Sequence, residues 1–146
     1  MMTGITNPTE EYFKDGIWGW DGSQWRKQGI LLGYHSALSL NIINSNASAG
    51  TNILETDAVE MNYLWVMETI GVANVNTAPS RLTIYVYRGG TNYPLLDTSS
   101  TVVGVYSIWN GQLVMVAGDR IRAYIYGCTA GDDLYLRVLG YKVTLA

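Results

Sequence analysis

The sequence predicts an all-β fold, an antiparallel β-sandwich of the jelly-roll type with about eight strands. From Tyr34 onward, short segments rich in β-branched and aromatic residues follow one another, and clusters of Gly, Asn, Ser and Pro separate them. The segments lie too close together for intervening helices, which excludes a β/α alternation. No repeat of fixed period is present, which argues against a propeller or a solenoid. Two antiparallel sheets packed face to face fit this pattern.

The main body contains these strand segments in order: 34–43, 51–55, 63–72, 81–87, 102–108, 112–116, 120–126 and 134–144. Turn dipeptides such as Asn110-Gly111 and Gly118-Asp119 separate the later ones. Segment 63–72 is also compatible with a short helix, because the apolar residues Leu64 and Met67 have helical spacing. The pattern leaves both interpretations open at that segment.

The N-terminal region has a different composition. Residues 1–14 are polar and without period, which predicts an extended arm that is free to reach a neighbour. In residues 17–27, Asp21-Gly22 is a dipeptide that tolerates positive φ in a tight turn, and tryptophan stands on both sides of it. We therefore predict an arm and a Trp-rich β-hairpin over residues 1–33, followed by the sandwich domain over residues 34–146.

The composition restricts the class of partner. Hydrophobic residues make up 48% of the chain and charged residues only 14%, so part of the surface is expected to be covered by copies of the chain or by a partner. The net charge of −3 and the scattered basic residues disfavour nucleic acid and anionic membranes. No apolar segment is long enough for a signal peptide or a membrane span. The single cysteine, Cys128, lies in an apolar strand pattern that predicts burial.

The residues needed for catalysis are sparse, and we expect neither an enzyme nor a cofactor. His35 is the single histidine, and the sequence has no His-x-x-x-His, Cys-x-x-Cys or Gly-x-Ser-x-Gly motif. Asp119, Asp132 and Asp133 follow glycines at turns, where carboxylates bond local backbone N–H groups. The same acids and Glu68 offer a carboxylate pair for glycoside hydrolysis or a calcium site as alternatives, but no motif singles them out.

The best strands carry unusual residues on the face that points away from the core. Alternation places Tyr85 and Tyr87 outward on one strand, Arg122, Tyr124 and Tyr126 on another, and Tyr135 and Arg137 on a third. Tyrosine and arginine are enriched in protein interfaces, which predicts a self-association surface. The alternative is that tyrosine is simply a good strand former.

The five tryptophans, Trp18, Trp20, Trp25, Trp65 and Trp109, admit two interpretations. They could form a platform that stacks on sugar rings. The more ordinary interpretation places Trp65 and Trp109 in the core and docks the hairpin tryptophans against the domain.

Two stretches resemble structural proteins of tailed phages. The hairpin from Trp20 to Lys27 resembles a short Trp-Asp/Asn-Gly-x-x-Trp ribbon that recurs in such proteins. Residues 118–124, with residues 133–136 and Gly140-Tyr141, are similar to the closing strands of trimeric jelly-roll domains in virion decoration and fibre proteins. Together the two stretches cover less than half of the chain.

The resemblance implies a capsid decoration, or cement, protein: a homotrimer, made in the host cytoplasm, that binds the major capsid protein on the virion surface. The alternative function is a tail-fibre or spike domain that binds a host glycan. We expect the following residues to form the oligomer or partner interface: Tyr12, Phe13, Trp18, Trp20, Trp25, Tyr85, Tyr87, Arg122, Tyr124, Tyr126, Tyr135 and Arg137.

Overall fold

A computed structural model describes residues 36–145 and, ahead of them, Ser23 and the backbone of residues 18–20, 25–27, 34 and 35. These residues form strands and the loops between them. The strands are β1 (Trp18–Trp20), β2 (Trp25–Lys27), β3 (Tyr34–Asn44), β4 (Gly50–Glu55), β5 (Tyr63–Asn74), β6 (Arg81–Arg88), β7 (Thr91–Thr98), β8 (Ser107–Met115), β9 (Arg120–Cys128) and β10 (Leu134–Thr144). The predicted arm, with Tyr12 and Phe13, lies outside the described residues.

The eight main strands pair as one long hairpin that is rolled up. β6 pairs with β7, β5 with β8, β4 with β9 and β3 with β10, and every pair is antiparallel. Rolling brings β10 beside β5 and β9 beside β6, which produces two sheets of four strands, β3-β10-β5-β8 and β4-β9-β6-β7. This connectivity is that of a jelly roll, so the predicted fold class is confirmed.

The predicted N-terminal hairpin is also present in the backbone. β1 and β2 are antiparallel, with Trp18 opposite Lys27 and Trp20 opposite Trp25. Tryptophan therefore stands on both legs, as the sequence predicted. Aromatic pairs across strands contribute roughly 0.2–1 kcal/mol each, which is little for an isolated ribbon of this length.

The core lies between the two sheets and follows the predicted alternation. On β9, Ile121, Ala123 and Ile125 are completely buried. The same alternation on β6 and β10 buries Leu82, Ile84, Val86, Leu134, Leu136 and Val138. Each fully buried aliphatic side chain stabilises the fold by roughly 1.5–3 kcal/mol, so this layer supplies much of the driving force for folding.

The segment that the sequence left open between strand and helix is the strand β5. It lies between β10 and β8, so neighbouring strands flank it on both sides. Its outward residues Val66, Gly71 and Ala73 are buried like its inward ones. The sequence therefore lacks the alternation that marks a half-exposed strand, which explains the ambiguity.

The predicted strands 102–108 and 112–116 were wrong in their bounds. Residues 107–115 form the single strand β8, and residues 102–106 lie in the loop before it. Asn110-Gly111 is not a hairpin turn but part of a β-bulge, where the register with β5 shifts between Met67 and Thr69. Glycine fits there because a Cβ at Gly111 would lie 2.6 Å from the Trp109 ring.

The predicted segments leave out one strand, β7. A tight turn at Gly89-Gly90 follows β6, and Thr91 already begins β7. Pro94 and Asp97 disguise the strand because both are depleted in sheet interiors. β7 is an edge strand of its sheet, where proline is tolerated, and a register shift beside Pro94 accommodates it.

Candidate interaction surfaces

The outward face of the sheet β4-β9-β6-β7 carries the tyrosine–arginine surface, which we define as Tyr85, Tyr87, Arg122, Tyr124 and Tyr126. β6 and β9 bring it together, because their register places Tyr85 opposite Arg122. All five side chains are half-buried rather than fully solvated. The structure thus assembles on one face residues that the sequence had placed outward on two separate strands.

The rings on this surface are in ordered contact. Tyr85 meets Tyr124 edge to face with centroids 5.5 Å apart, and Tyr124 stacks on Tyr126 at 6.2 Å. The Arg122 guanidinium lies 3.8 Å above the centroid of Tyr87. Such aromatic pairs and cation–π contacts contribute on the order of 0.5–1.5 kcal/mol each. The side chains are therefore held in place before any partner arrives.

The arginines of this sheet face are paired with carboxylates. Glu55 on β4 accepts hydrogen bonds from both Arg120 and Arg122. Arg81 pairs with Asp97 across β6 and β7, and this hydrogen-bonded pairing lowers the pKa of the Asp97 carboxyl. Charge on the surface is thus largely neutralised, which reduces the cost of removing it from water.

Thr83 shows how closely the aromatic layer covers the sheet. It points outward on β6, yet it is completely buried, and it lies opposite Tyr124 of β9. Its hydroxyl has no hydrogen-bond partner among the described residues. An outward position that is sealed in this way is unusual for a solvated face, and it indicates a compact layer of side chains above the sheet.

Tyr135 and Arg137 lie on the opposite side of the molecule. They point outward from β10 in the sheet β3-β10-β5-β8, so the predicted interface residues divide between two faces. The Arg137 guanidinium lies 5.2 Å from the Tyr106 ring centroid and 5.9 Å from that of Tyr135. The sequence could not separate the two groups, because strand alternation gives direction relative to the core but not sheet membership.

A second surface, which we call the apolar face, surrounds Arg137. Its core is a shallow pocket of about 160 Å³ lined by Thr69, Gly71, Tyr106, Ile108, Arg137 and Leu139. Ile108 and Leu139 are each about half exposed, at 51% and 50%. Sequence reasoning missed them, although Leu139 continues the outward series of Tyr135 and Arg137 at the same period of two.

Trp65 and Trp109 pack in or against the core and do not form an exposed sugar-binding platform. Trp65 is 3% exposed and donates a hydrogen bond from Nε1 to Glu60 Oε2 at 2.8 Å. Trp109 packs against the core as a partly buried side chain. The predicted core position is confirmed for Trp65, and Trp109 borders the core. The side chains of Trp18, Trp20 and Trp25 lie outside the described part of the structure.

Two of the turn carboxylates, Asp119 and Asp132, accept hydrogen bonds from the backbone of their own turns. Asp119 is 2% exposed and accepts hydrogen bonds from Arg88 and from the Val116 N–H. Burial opposes ionisation of Asp119, but these hydrogen bonds outweigh it and lower the pKa of the carboxyl. Asp132 accepts hydrogen bonds from Asn74 and the Thr129 N–H, and its pKa is lowered by these bonds, chiefly the one from Asn74. The predicted turn chemistry is confirmed for both.

The remaining candidate ligands do not gather into a site. Among the described residues, no three His, Cys, Asp or Glu side chains lie close enough to hold a metal ion. Cys128 is buried, as predicted, and burial raises the pKa of its thiol. His35 lies in β3, at its second residue. The described residues also contain no helix long and apolar enough to cross a membrane.

Comparison with known proteins yields distant likenesses of fold. No protein-family model and no curated protein sequence matches the chain. One similar solved structure, a carbohydrate-binding module titled "CBM4 structure and function", is 15% identical over 73% of this chain and 83% of that chain, with a TM-score of 0.31. At that score the likeness carries no functional assignment.

Viral structures are also among the similar ones. The Gx strain of infectious bursal disease virus gives 13% identity over 97% of this chain and 38% of that chain, with a TM-score of 0.35. The VP2 subviral particle of the same virus gives 12% identity over 87% and 36%, with a TM-score of 0.27. The chain thus spans little more than a third of these viral chains, and these likenesses too carry no functional assignment.

Proposed function

We propose that the protein is a structural, protein-binding subunit of a virion, a capsid decoration protein that self-associates through the tyrosine–arginine surface. The observation that carries the self-association is the fixed aromatic layer on the β4-β9-β6-β7 sheet. Tyrosine and arginine are enriched among the few residues that carry most of the binding energy in protein interfaces. Here they are concentrated on one face, half-buried, and already in contact with one another.

The order of this layer favours association on entropic grounds. Immobilising a flexible side chain on binding costs about 0.5–1.5 kcal/mol, and rings that are already stacked have lost most of that freedom. Two carboxylates of the same sheet, Asp97 and Glu55, pair with Arg81, Arg120 and Arg122 and offset most of their charge, which lowers the repulsion between this surface and a neighbouring copy. In a homotrimer such a face packs against a different surface of the neighbouring copy, because a face that meets itself produces a two-fold dimer.

The virion part of the proposal has a separate basis. It is supported by the resemblance of the hairpin and closing strands to tailed-phage proteins. A protein that binds only the assembled shell raises the stability of that shell by its binding free energy, repeated at many sites. In this mechanism the decoration protein needs no catalytic residues.

The oligomer is expected to depend on the tyrosine–arginine surface. Light scattering coupled to size-exclusion chromatography should show an oligomer, a trimer by the proposal, for the wild-type protein, and the variant Tyr85→Ser with Tyr124→Ser should elute as a monomer. Tyr93→Ser is the matched control, because Tyr93 is an exposed tyrosine of the edge strand β7 outside this surface. A monomeric wild type, or an oligomer that survives the double substitution, contradicts the proposal.

The decoration role is tested on particles. Phage particles assembled without this protein are expected to release their genome at a lower temperature than complete particles, and added purified protein should restore the difference. The Tyr93→Ser protein should restore it as well as the wild type does. Equal heat stability with and without the protein would exclude the decoration role while leaving self-association untouched.

A further inference from the structure

We propose that residues 10–13 of the N-terminal arm dock on the apolar face of the same chain, with Phe13 in the pocket between Tyr106 and Leu139 and the glutamates against Arg137. The inference is independent of the proposed function, because it concerns the other side of the sandwich. It assigns an occupant to the pocket lined by Ile108, Arg137 and Leu139, where exposed apolar side chains and an arginine meet.

The pocket of the apolar face is lined largely by exposed apolar side chains. Ile108 and Leu139 expose half of their surface, and the Tyr106 ring covers the backbone at Gly71 between them. Covering such apolar surface removes it from water and is favourable. The pocket is shallow and of a size that suits one aromatic ring.

Arg137 provides the positive charge of the apolar face. Arg137 lines the pocket, and its guanidinium lies near the rings of Tyr106 and Tyr135. The other arginines with described side chains, Arg81, Arg88, Arg120 and Arg122, each pair with a carboxylate, whereas no described carboxylate pairs with Arg137. The site therefore calls for a segment that combines an aromatic ring with an adjacent acid.

Residues 10–13 of the N-terminal arm have the residue types that this face requires. Outside the described residues, Glu10-Glu11-Tyr12-Phe13 places two carboxylates directly beside two large rings. Residues 28–33 include three large apolar residues, Ile30, Leu31 and Leu32, but carry no carboxylate and no aromatic ring. Residues 10–13 thus match both the apolar and the charged requirement of the face.

The length of chain between Phe13 and Tyr34 decides whether the arm can reach the apolar face of its own chain. Trp18 and Lys27 are paired across the hairpin, so residues 19–26 add little to the span. Residues 13–18 and 27–34, when extended, allow Phe13 to lie up to about 45 Å from Tyr34. The pocket is closer than that. Ser39 pairs with Leu139 of the pocket, and it lies five residues along β3 from Tyr34, a distance of about 17 Å. A tether of this length gives an effective concentration near millimolar, which favours docking within the chain.

A disulfide-trapping experiment on the full chain tests the proposal. Phe13→Cys and Leu139→Cys are introduced together in a Cys128→Ala background, folding is verified by circular dichroism, and the protein is oxidised mildly at micromolar concentration. We expect an intramolecular disulfide, seen as a faster-migrating monomer on a non-reducing gel, to exceed intermolecular dimer on the order of 100-fold. The matched control replaces Leu139→Cys by Ile53→Cys, since Ile53 is 52% exposed on the other sheet.

Each other outcome overturns the proposal. A disulfide that forms mainly between two chains assigns the face to the arm of a neighbour, as expected from the sequence. Equal trapping at Ile53→Cys, or none at Leu139→Cys, shows that the arm does not select this face. A double-mutant cycle tests the same contact without a disulfide. If Phe13 docks on Leu139, the double variant Phe13→Ser with Leu139→Ser should lower the melting temperature by less than the sum of the two single variants. Additive shifts of the melting temperature contradict docking.

Discussion

Replacing Gly140 with alanine is expected to destabilise the fold by about 3 kcal/mol, a large effect for the addition of one methyl group. Gly140 lies on β10 at a register shift with β5. A Cβ there would overlap the carbonyl oxygen of Val66, and it would lie 2.9 Å from the Val66 carbonyl carbon and 3.0 Å from the Met67 Cα. These atoms belong to the backbone of an inner strand, so they cannot move aside without disturbing the sheet. Urea denaturation monitored by circular dichroism would measure the loss.

The matched control is Gly71→Ala on the adjacent strand β5. There the added Cβ would meet the Tyr106 ring at 3.1 Å, and this half-buried side chain can shift towards solvent. We expect a change within about 1 kcal/mol. Similar losses for both variants would show that backbone proximity at Gly140 is not what requires glycine.

Replacing Asn74 with aspartate is expected to cost about 2–4 kcal/mol at neutral pH. Asn74 ends β5, is 1% exposed, and donates from Nδ2 to Asp132 Oδ2 at 2.7 Å. Its Oδ1 accepts from the backbone N–H groups of Asn76 and Thr77. Aspartate keeps that acceptor but replaces the donor with a second carboxylate facing Asp132. Thermal unfolding at several pH values would measure the effect.

The pH dependence identifies the cause. Two carboxylates in contact favour the uptake of a proton, so the folded variant binds more protons than its unfolded chain, and its deficit relative to wild type should shrink as the pH falls towards 4. Asn76→Asp is the control, because Asn76 is exposed and uses Oδ1 only to accept the Asp133 N–H. That variant should change stability by less than about 0.5 kcal/mol. A deficit in Asn74→Asp that is constant with pH would argue against repulsion.

The contrast between β9 and β8 shows why some strands were predictable from the sequence. β9 is covered by the core on one face only, so apolar residues alternate with tyrosine and arginine, and its start and inward residues were predicted correctly. β8 contains a bulge at Asn110-Gly111, which looks like a hairpin turn when only local residues are considered. Its identity as a strand depends on pairing with β5, a contact about 40 residues away in sequence.

The candidate surfaces divide in the same way. Alternation showed that Tyr85, Tyr124 and Tyr135 point away from the core, and the structure agrees. It could not show that the first two share a face while Tyr135 lies on the opposite side. The pocket at Ile108 and Leu139 was missed for a similar reason, because β5 brings together β8 and β10, which are distant in sequence.

By itself, the sequence determined that this chain is an all-β sandwich with a Trp-bearing hairpin, an outward display of tyrosine and arginine, and turn carboxylates used for backbone bonding. These properties depend on residues within a few positions of one another, through the period of two and through turn chemistry. Only the tertiary structure decided the order of the strands, the division of the outward residues between two faces, and the need for Gly140. Each of these depends on which distant strands become neighbours when the long hairpin rolls up.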